Sequence, residues 1–338
     1  MTEPGSSKAR LAELDALRGI AALLVMLFHY TVQAPKVVRG IETVPLPFAW
    51  GEYGVQLFFA ISGFVIIMTL ERTRSSRDFT IARFTRLFPA YWAAILCTTL
   101  IAQLLGPNVL ERPLDVVAIN FTMLQGFLYV PAVDGAYWSL TVELAFYICM
   151  WVLWRLRLLD RIELVLIAWI ALRYIWWLLP EASSLGGKLL LVDYIPFFAI
   201  GIAAYRVRQE ARRWVQQMPL LAFGLATTAA IDGMAETVVY LCTLAVFTAL
   251  IGNTLRFLDR PVLLWLGALS YPLYLTHQFI GYAFIASLEA AGFPALLATA
   301  LAMIAVLALA HVIHQWIEQP SQRLLRGWRH ARREPSPV

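Results

Sequence analysis

Apolar residues in this chain come in unbroken runs of about twenty. They lack both the narrow stripe of an amphipathic surface helix and the alternation of a strand. A helix needs roughly 20 such residues to cross a bilayer. Ten runs approach that length, at 15–32, 48–70, 87–105, 138–158, 162–179, 186–205, 217–233, 235–252, 261–285 and 293–317. A further stretch, 113–131, is apolar but interrupted by Pro113, Asp115, Asn120, Gln125 and Gly126, and is expected as an outer loop that dips into the membrane. The pattern predicts an all-α, polytopic membrane protein with about ten transmembrane helices in a single domain over 1–338. From about Arg323 the chain reads as a basic tail that lies on the membrane surface and fades into disorder.

Composition agrees. Of the 338 residues, 60% are hydrophobic and 14% charged, against roughly 25% charged in a soluble domain, and mean hydropathy is +0.68. The three cysteines, Cys97, Cys149 and Cys242, are far apart and each lies in an apolar run, which leaves neither a disulfide framework nor a metal knuckle. The net charge of +5 is explained by its placement. With the N-terminus in the cytosol, 22 basic residues fall in inner segments, including Arg18, the Arg72–Arg86 cluster, Arg206 to Arg213 and Arg323 to Arg333, against four outside: Lys36, Arg39, Arg112 and Lys188. That asymmetry is the positive-inside bias. It predicts that both termini are cytosolic and removes any need for a nucleic-acid partner.

Ionisable groups within spans are candidates for function because burying them among lipid tails is costly. Arg18 and His29 lie eleven residues apart on the first span, about 16 Å of helix, so His29 sits near mid-membrane when Arg18 is at the inner boundary. Glu143 lies five residues below Trp138 on the fourth span, within reach of the same depth, and an imidazole beside a carboxylate forms a base with its orienting partner. Arg173 and Asp193 share a depth on the fifth and sixth spans and read as a buried ion pair that fixes helix packing. Tyr271, Tyr274 and His277 fall on one face of the ninth span; they suit contact with a sugar-like acceptor and equally an interfacial aromatic belt. His311 and His314, beside Trp316, read as interface anchors. Gly54 and Gly63 read as close-packing positions. Phosphate loops, dinucleotide fingerprints, zinc-protease motifs and nucleophile elbows are absent.

Five motifs resemble the integral-membrane acyltransferase-3 family. The first span, Leu14-Asp-Ala-Leu-Arg18 through His29, carries its Arg-x10-His signature. The second, Gly54-Val-Gln-Leu-Phe-Phe-Ala-Ile-Ser-Gly-Phe64, is similar to its Gly-Val-Asp-Leu-Phe-Phe pattern, with Gln56 where Asp is common. Arg83-Phe-Thr-Arg86-Leu-Phe-Pro-Ala-Tyr91, Trp138-Ser139-Leu-Thr-Val-Glu143 and Ser270-Tyr-Pro-Leu-Tyr-Leu-Thr-His277 follow in the family's order. The resemblance implies transfer of an acyl group, most often acetyl, from coenzyme A in the cytosol to a hydroxyl of a polysaccharide, lipid-linked glycan or macrolide sugar, by a multi-pass protein of the bacterial plasma membrane with no metal. It places Arg18, Arg83, Arg86 and Tyr91 on acyl-CoA, His29 and Glu143 at the chemistry, and Trp138, Ser139, Tyr271, Tyr274 and His277 on the acceptor carbohydrate. His29 then either deprotonates the hydroxyl for direct attack or accepts the acyl group first. A proton-coupled transporter is the rival reading of the same embedded charges, although residues 1–165 and 166–338 show no paired halves.

Overall fold

The computed structural model describes residues 12–178 and 184–324. Lys8, Arg10, Arg326, Arg329, Arg332, Arg333 and the expected tail beyond Leu324 lie outside the described residues. Among the described residues the fold is all-helical. In chain order the helices are α1 (Ala12–Val37), α2 (Gly54–Glu71), α3 (Ser76–Leu105), α4 (Leu114–Asn120), α5 (Trp138–Arg155), α6 (Ile162–Leu178), α7 (Ser184–Leu189), α8 (Ile195–Arg208), α9 (Trp214–Ile231), α10 (Met234–Ile251), α11 (Pro261–Thr276), α12 (Gln278–Ala290) and α13 (Ala295–Leu324).

Among the described residues, six helical stretches are long and apolar enough to cross a membrane: Ala12–Val37, Ala49–Glu71, Ser76–Leu105, Gly135–Arg155, Met234–Ile251 and Ala295–Leu324. Their outward faces are apolar. On α3, Leu96, Leu100 and Leu104 stand one turn apart and are 56–70% exposed, a stripe suited to lipid rather than water.

Two expected spans are divided. The run at 186–205 becomes α7 and α8, separated by a turn in which Leu191 has φ 54°. The run at 261–285 becomes α11 and α12, which meet at His277. In turn α3 begins well before the expected residue 87. Ser75 caps it by accepting from the Asp78 N–H at 3.1 Å, so Arg77, Arg83 and Arg86 ride on a helix instead of a loop. The 113–131 stretch is built into the protein: Asn120 is fully buried, donates to the carbonyls of Val116 and Pro131, and accepts from the Val133 N–H. Its amide is thereby spent on the loop's own bonds.

Helix α1 and helix α13 each contain a π-turn, at His29–Gln33 and His314–Glu318. In both cases the turn ends two residues before a proline, Pro35 and Pro320. A proline ring inside a helix clashes with the carbonyl four residues back and supplies no N–H, and widening the preceding turn relieves both problems. Side chains then take up carbonyls below the first turn: His29 Nδ1 lies 2.8 Å from the Val25 oxygen and Thr31 Oγ1 donates to Leu27 at 2.7 Å.

Glycines set the closest helix contacts. A Cβ on Gly19 would stand 2.6 Å from the Gly267 backbone nitrogen, and one on Gly267 would stand 2.2 Å from the Asp15 oxygen, so α1 and α11 touch backbone to backbone. Gly63 meets the Phe198 carbonyl in the same way where α2 crosses α8, as its place in the sequence suggests.

Candidate active site

Helices α1, α2, α3, α5 and α11 surround an interior cavity of about 60 Å³. Arg18, Ser62, Arg86, Ser139, Glu143 and Tyr147 line it, with Ser270, Tyr271 and Tyr274 completing the wall. It is small beside the roughly 300–1,000 Å³ of a pocket for a whole ligand.

Glu143 anchors the wall. Its Oε1 accepts from Ser62 Oγ at 3.3 Å and from the hydroxyl of Tyr147, one turn along α5. Both Arg18 and Arg86 lie within electrostatic reach of Glu143 and of Glu318. Glu318 is buried on the π-turn of α13, where it accepts from Gln322 and bonds His314 Nδ1 at 2.7 Å. His314, expected as an interface anchor, is therefore tied to a carboxylate. On the opposite wall Tyr271 donates to the Leu87 carbonyl at 2.8 Å, while the hydroxyls of Ser139 and Tyr274 bond each other at 2.7 Å.

His29 belongs to an adjoining group. Its Nδ1 lies 3.1 Å from His277 Nε2, and His277 Nδ1 lies 2.8 Å from the Tyr274 carbonyl. The His277 ring packs 5.5 Å from that of Tyr274, which in turn faces the cavity. Thus the structure brings Arg18, Arg86, Ser139, Glu143, Tyr271 and Tyr274 around one space, and joins His29 to His277 beside it. The bonds of Glu143 run to Ser62 and Tyr147, and those of His29 to Val25 and His277.

The remaining candidates are spread. Arg83 stands 5.5 Å from the Tyr147 ring and 6.0 Å from Phe79, at an apolar pocket of about 260 Å³ lined also by Phe84, Phe88 and Trp151. Its Nε and Nη1 are buried with no hydrogen-bond partner. Tyr91 is fully buried with its ring 5.1 Å from Tyr137. Trp138 packs on Tyr194 at 5.4 Å and lines a separate pocket with Lys188 and Asp193. Arg173 pairs with Asp232, at 2.6 and 2.7 Å, rather than with Asp193. Ser62, Tyr147 and Glu318 were not expected at the site. Tyr147 was open to discovery, since a residue four positions from Glu143 shares its helix face; Glu318 arrives from a distant helix with no local signal.

Among the described residues no cluster of three or more His, Cys, Asp or Glu side chains is arranged to hold a metal.

The Acyltransferase domain of the acyltransferase-3 family matches residues 11–315. Acyltransferase MdmB of Streptomyces mycarofaciens is 26% identical over 97% of this chain and 96% of its own length. Nodulation protein 10 of Rhizobium leguminosarum bv. viciae is 26% identical over 80% of this chain and 83% of its own. Peptidoglycan O-acetyltransferase OatA of Listeria monocytogenes is 24% identical over 42% of this chain and 24% of its own. No solved structure matches the chain.

Proposed function

The chain belongs to the acyltransferase-3 family and is an acyltransferase, and from that premise we propose that it carries an acetyl group from cytosolic acetyl-CoA to a hydroxyl of an extracytoplasmic glycan or lipid-linked sugar. The carrying observation is the shared cavity, in which two guanidiniums, a carboxylate and several hydroxyls meet. Guanidinium forks suit the donor's phosphates, and the hydroxyl-lined wall suits a sugar. OatA, named as a peptidoglycan O-acetyltransferase, supports both acetyl and a carbohydrate acceptor.

In this reading the chain crosses a bacterial plasma membrane ten times with both ends in the cytosol. Two packing relations support that alternation. Helices α1 and α11 run parallel, Gly19 against Gly267 and His29 against His277, as first and ninth spans must. Likewise α2 and α8 run parallel, Phe59 stacking on Phe198 and Phe64 meeting Tyr205 edge to face, as second and sixth spans must. The coenzyme A phosphates bind at the end of α1 that carries Arg18, with Arg83 and Arg86. His29, about 16 Å further along α1, meets the thioester at the end of the extended pantetheine arm.

His29 acts as general base for direct attack. The His29–His277 pair adjoins the hydroxyl-bearing wall at Tyr274, so the base stands beside the acceptor's place and both substrates meet without a covalent carrier. Glu143 holds the cavity wall through Ser62 and Tyr147, and its charge sits opposite the arginines.

The test uses membranes containing equal amounts of wild type and His29→Ala, incubated with radiolabelled acetyl-CoA. Label is expected in the glycan fraction of the wild type and reduced at least ~10²-fold in the variant. Equal labelling overturns the role of His29. Label trapped on wild-type protein but not on His29→Ala overturns direct transfer in favour of an acyl-histidine.

A further inference from the structure

We propose that His277 is the positioning residue for His29: its Nε2 accepts the Nδ1–H of His29 alongside the Val25 carbonyl and so fixes the orientation of the His29 ring, with Nε2 free to take the acceptor's proton. This rests on the reading of His29 as the base.

The protons follow from the partners. The Tyr274 carbonyl, 2.8 Å from His277 Nδ1, only accepts, so that nitrogen carries the hydrogen and neutral His277 presents a lone pair at Nε2. His29 Nδ1 stands 3.1 Å from this lone pair and 2.8 Å from the Val25 carbonyl. Both neighbours are acceptors, which makes His29 Nδ1 the donor and leaves Nε2 unprotonated. A base is oriented here by an imidazole where a carboxylate is the usual third group. Glu143, the partner expected from sequence, is committed to Ser62 and Tyr147.

His277 is itself held firmly. Its N–H donates to Leu273 at 3.0 Å, and its carbonyl accepts from Tyr30 Oη at 2.7 Å and from the Gly281 N–H at 3.2 Å. Tyr30 reaches that carbonyl because residue 281 is glycine; a Cβ there would fall 2.0 Å from the hydroxyl. Two consecutive residues of α1 therefore grip His277, His29 by the ring and Tyr30 by the backbone.

In the reaction the acceptor's O–H proton passes to His29 Nε2 as its oxygen bonds the acyl carbon. The C–S bond then breaks, its electron pair leaves with sulfur, and sulfur takes the proton from Nε2. While His29 carries both protons, His277 and Val25 share the charge at Nδ1–H.

Three substitutions test this, assayed with radiolabelled acetyl-CoA in membranes at equal protein. Asparagine places its amide where Nδ1 of histidine lies, so His277→Asn keeps the Tyr274 bond and does not reach His29. Glutamine reaches the Nε2 position with an acceptor oxygen. His277→Asn should lower the maximal rate by about 10²-fold with the donor KM within roughly two-fold, and His277→Gln should recover about ten-fold or more of the loss. A double variant, His29→Ala with His277→Asn, should be no slower than His29→Ala alone, because His277 acts through His29. A His277→Asn protein within three-fold of wild type, a His277→Gln no faster than His277→Asn, or a further fall in the double variant would each overturn the proposal while leaving His29 in place. An active His29→Ala overturns the underlying reading of the base instead.

Discussion

Replacing Arg83 by methionine should stabilise the free protein and weaken its donor. The side chain of Arg83 lies against the rings of Phe79 and Tyr147 with Nε and Nη1 buried and unpaired. An unpaired buried donor costs about 1–3 kcal/mol, whereas a cation facing an aromatic ring regains about 0.5–2 kcal/mol. Methionine fills the same pocket without charge and leaves no donor unpaired, so the midpoint of thermal unfolding in detergent should rise. A guanidinium binds phosphate through a fork of N–H groups, and a charge-assisted contact contributes about 1.5–3 kcal/mol. Losing it should raise the acetyl-CoA KM roughly ten- to hundred-fold and leave the acceptor KM unchanged. Arg83→Lys should fall between, since an ammonium keeps the charge but not the fork. The assay pairs thermal unfolding of purified protein with donor KM in membranes. A variant that unfolds earlier with an unchanged donor KM would show Arg83 to be a packing residue and refute the reasoning.

Other outcomes follow from the same geometry. Pro35→Ala restores an N–H two residues after the His29–Gln33 π-turn, which should let α1 close into regular helix, swing His29 away from His277 and lower the rate at least about ten-fold without loss of stability; an unchanged rate would separate the π-turn from function. Gly267→Ala places a Cβ 2.2 Å from the Asp15 oxygen, so it should force α1 off α11, and a variant as stable and active as wild type would contradict that close contact. Arg112→Cys should react with impermeant thiol reagents added outside intact cells; reaction from the cytosolic side alone would invert the proposed topology.

How far the sequence carries depends on what each feature needs. Helix starts are legible where one residue states them: Ser75 caps α3, Pro261 opens α11 and Pro294 precedes α13. Hydropathy alone misplaces the start of α3 because Arg77, Arg83 and Arg86 favour helix without being apolar. It also merges α11 with α12, since Thr276 and His277 interrupt the backbone but not the apolar run. At the site, depth arithmetic along each span gives His29 and Glu143 similar heights. It says nothing of which way each side chain turns about its own helix axis. That rotation decides the partners, and it sends Glu143 to Ser62 and His29 to His277.

The rotation and register of α1 against α11 are set by backbone features at a distance from the chemistry. Gly19 and Gly267 touch, and ten residues beyond each lies a histidine, His29 and His277. Two parallel helices advance together by about 15 Å over that interval, so backbone contact at the glycines brings the imidazoles to equal height. Equal height alone does not produce a bond, because side chains ten positions along have turned through the same angle as their helices and need not face each other. The π-turn beginning at His29 and the break at His277 supply local freedom at just those two positions. The first is tied to Pro35, six residues after His29, and the second to the Leu275 carbonyl and the Phe279 N–H, which bond the Tyr137 hydroxyl and an Asp134 carboxylate oxygen instead of each other. The glycine contact supplies register, and these two features permit the departures from regular helix through which the two rings meet. A substitution at either glycine, at Pro35 or at Asp134 should therefore disturb transfer without touching a substrate, in keeping with the sensitivity of catalysis to displacements of about 1 Å.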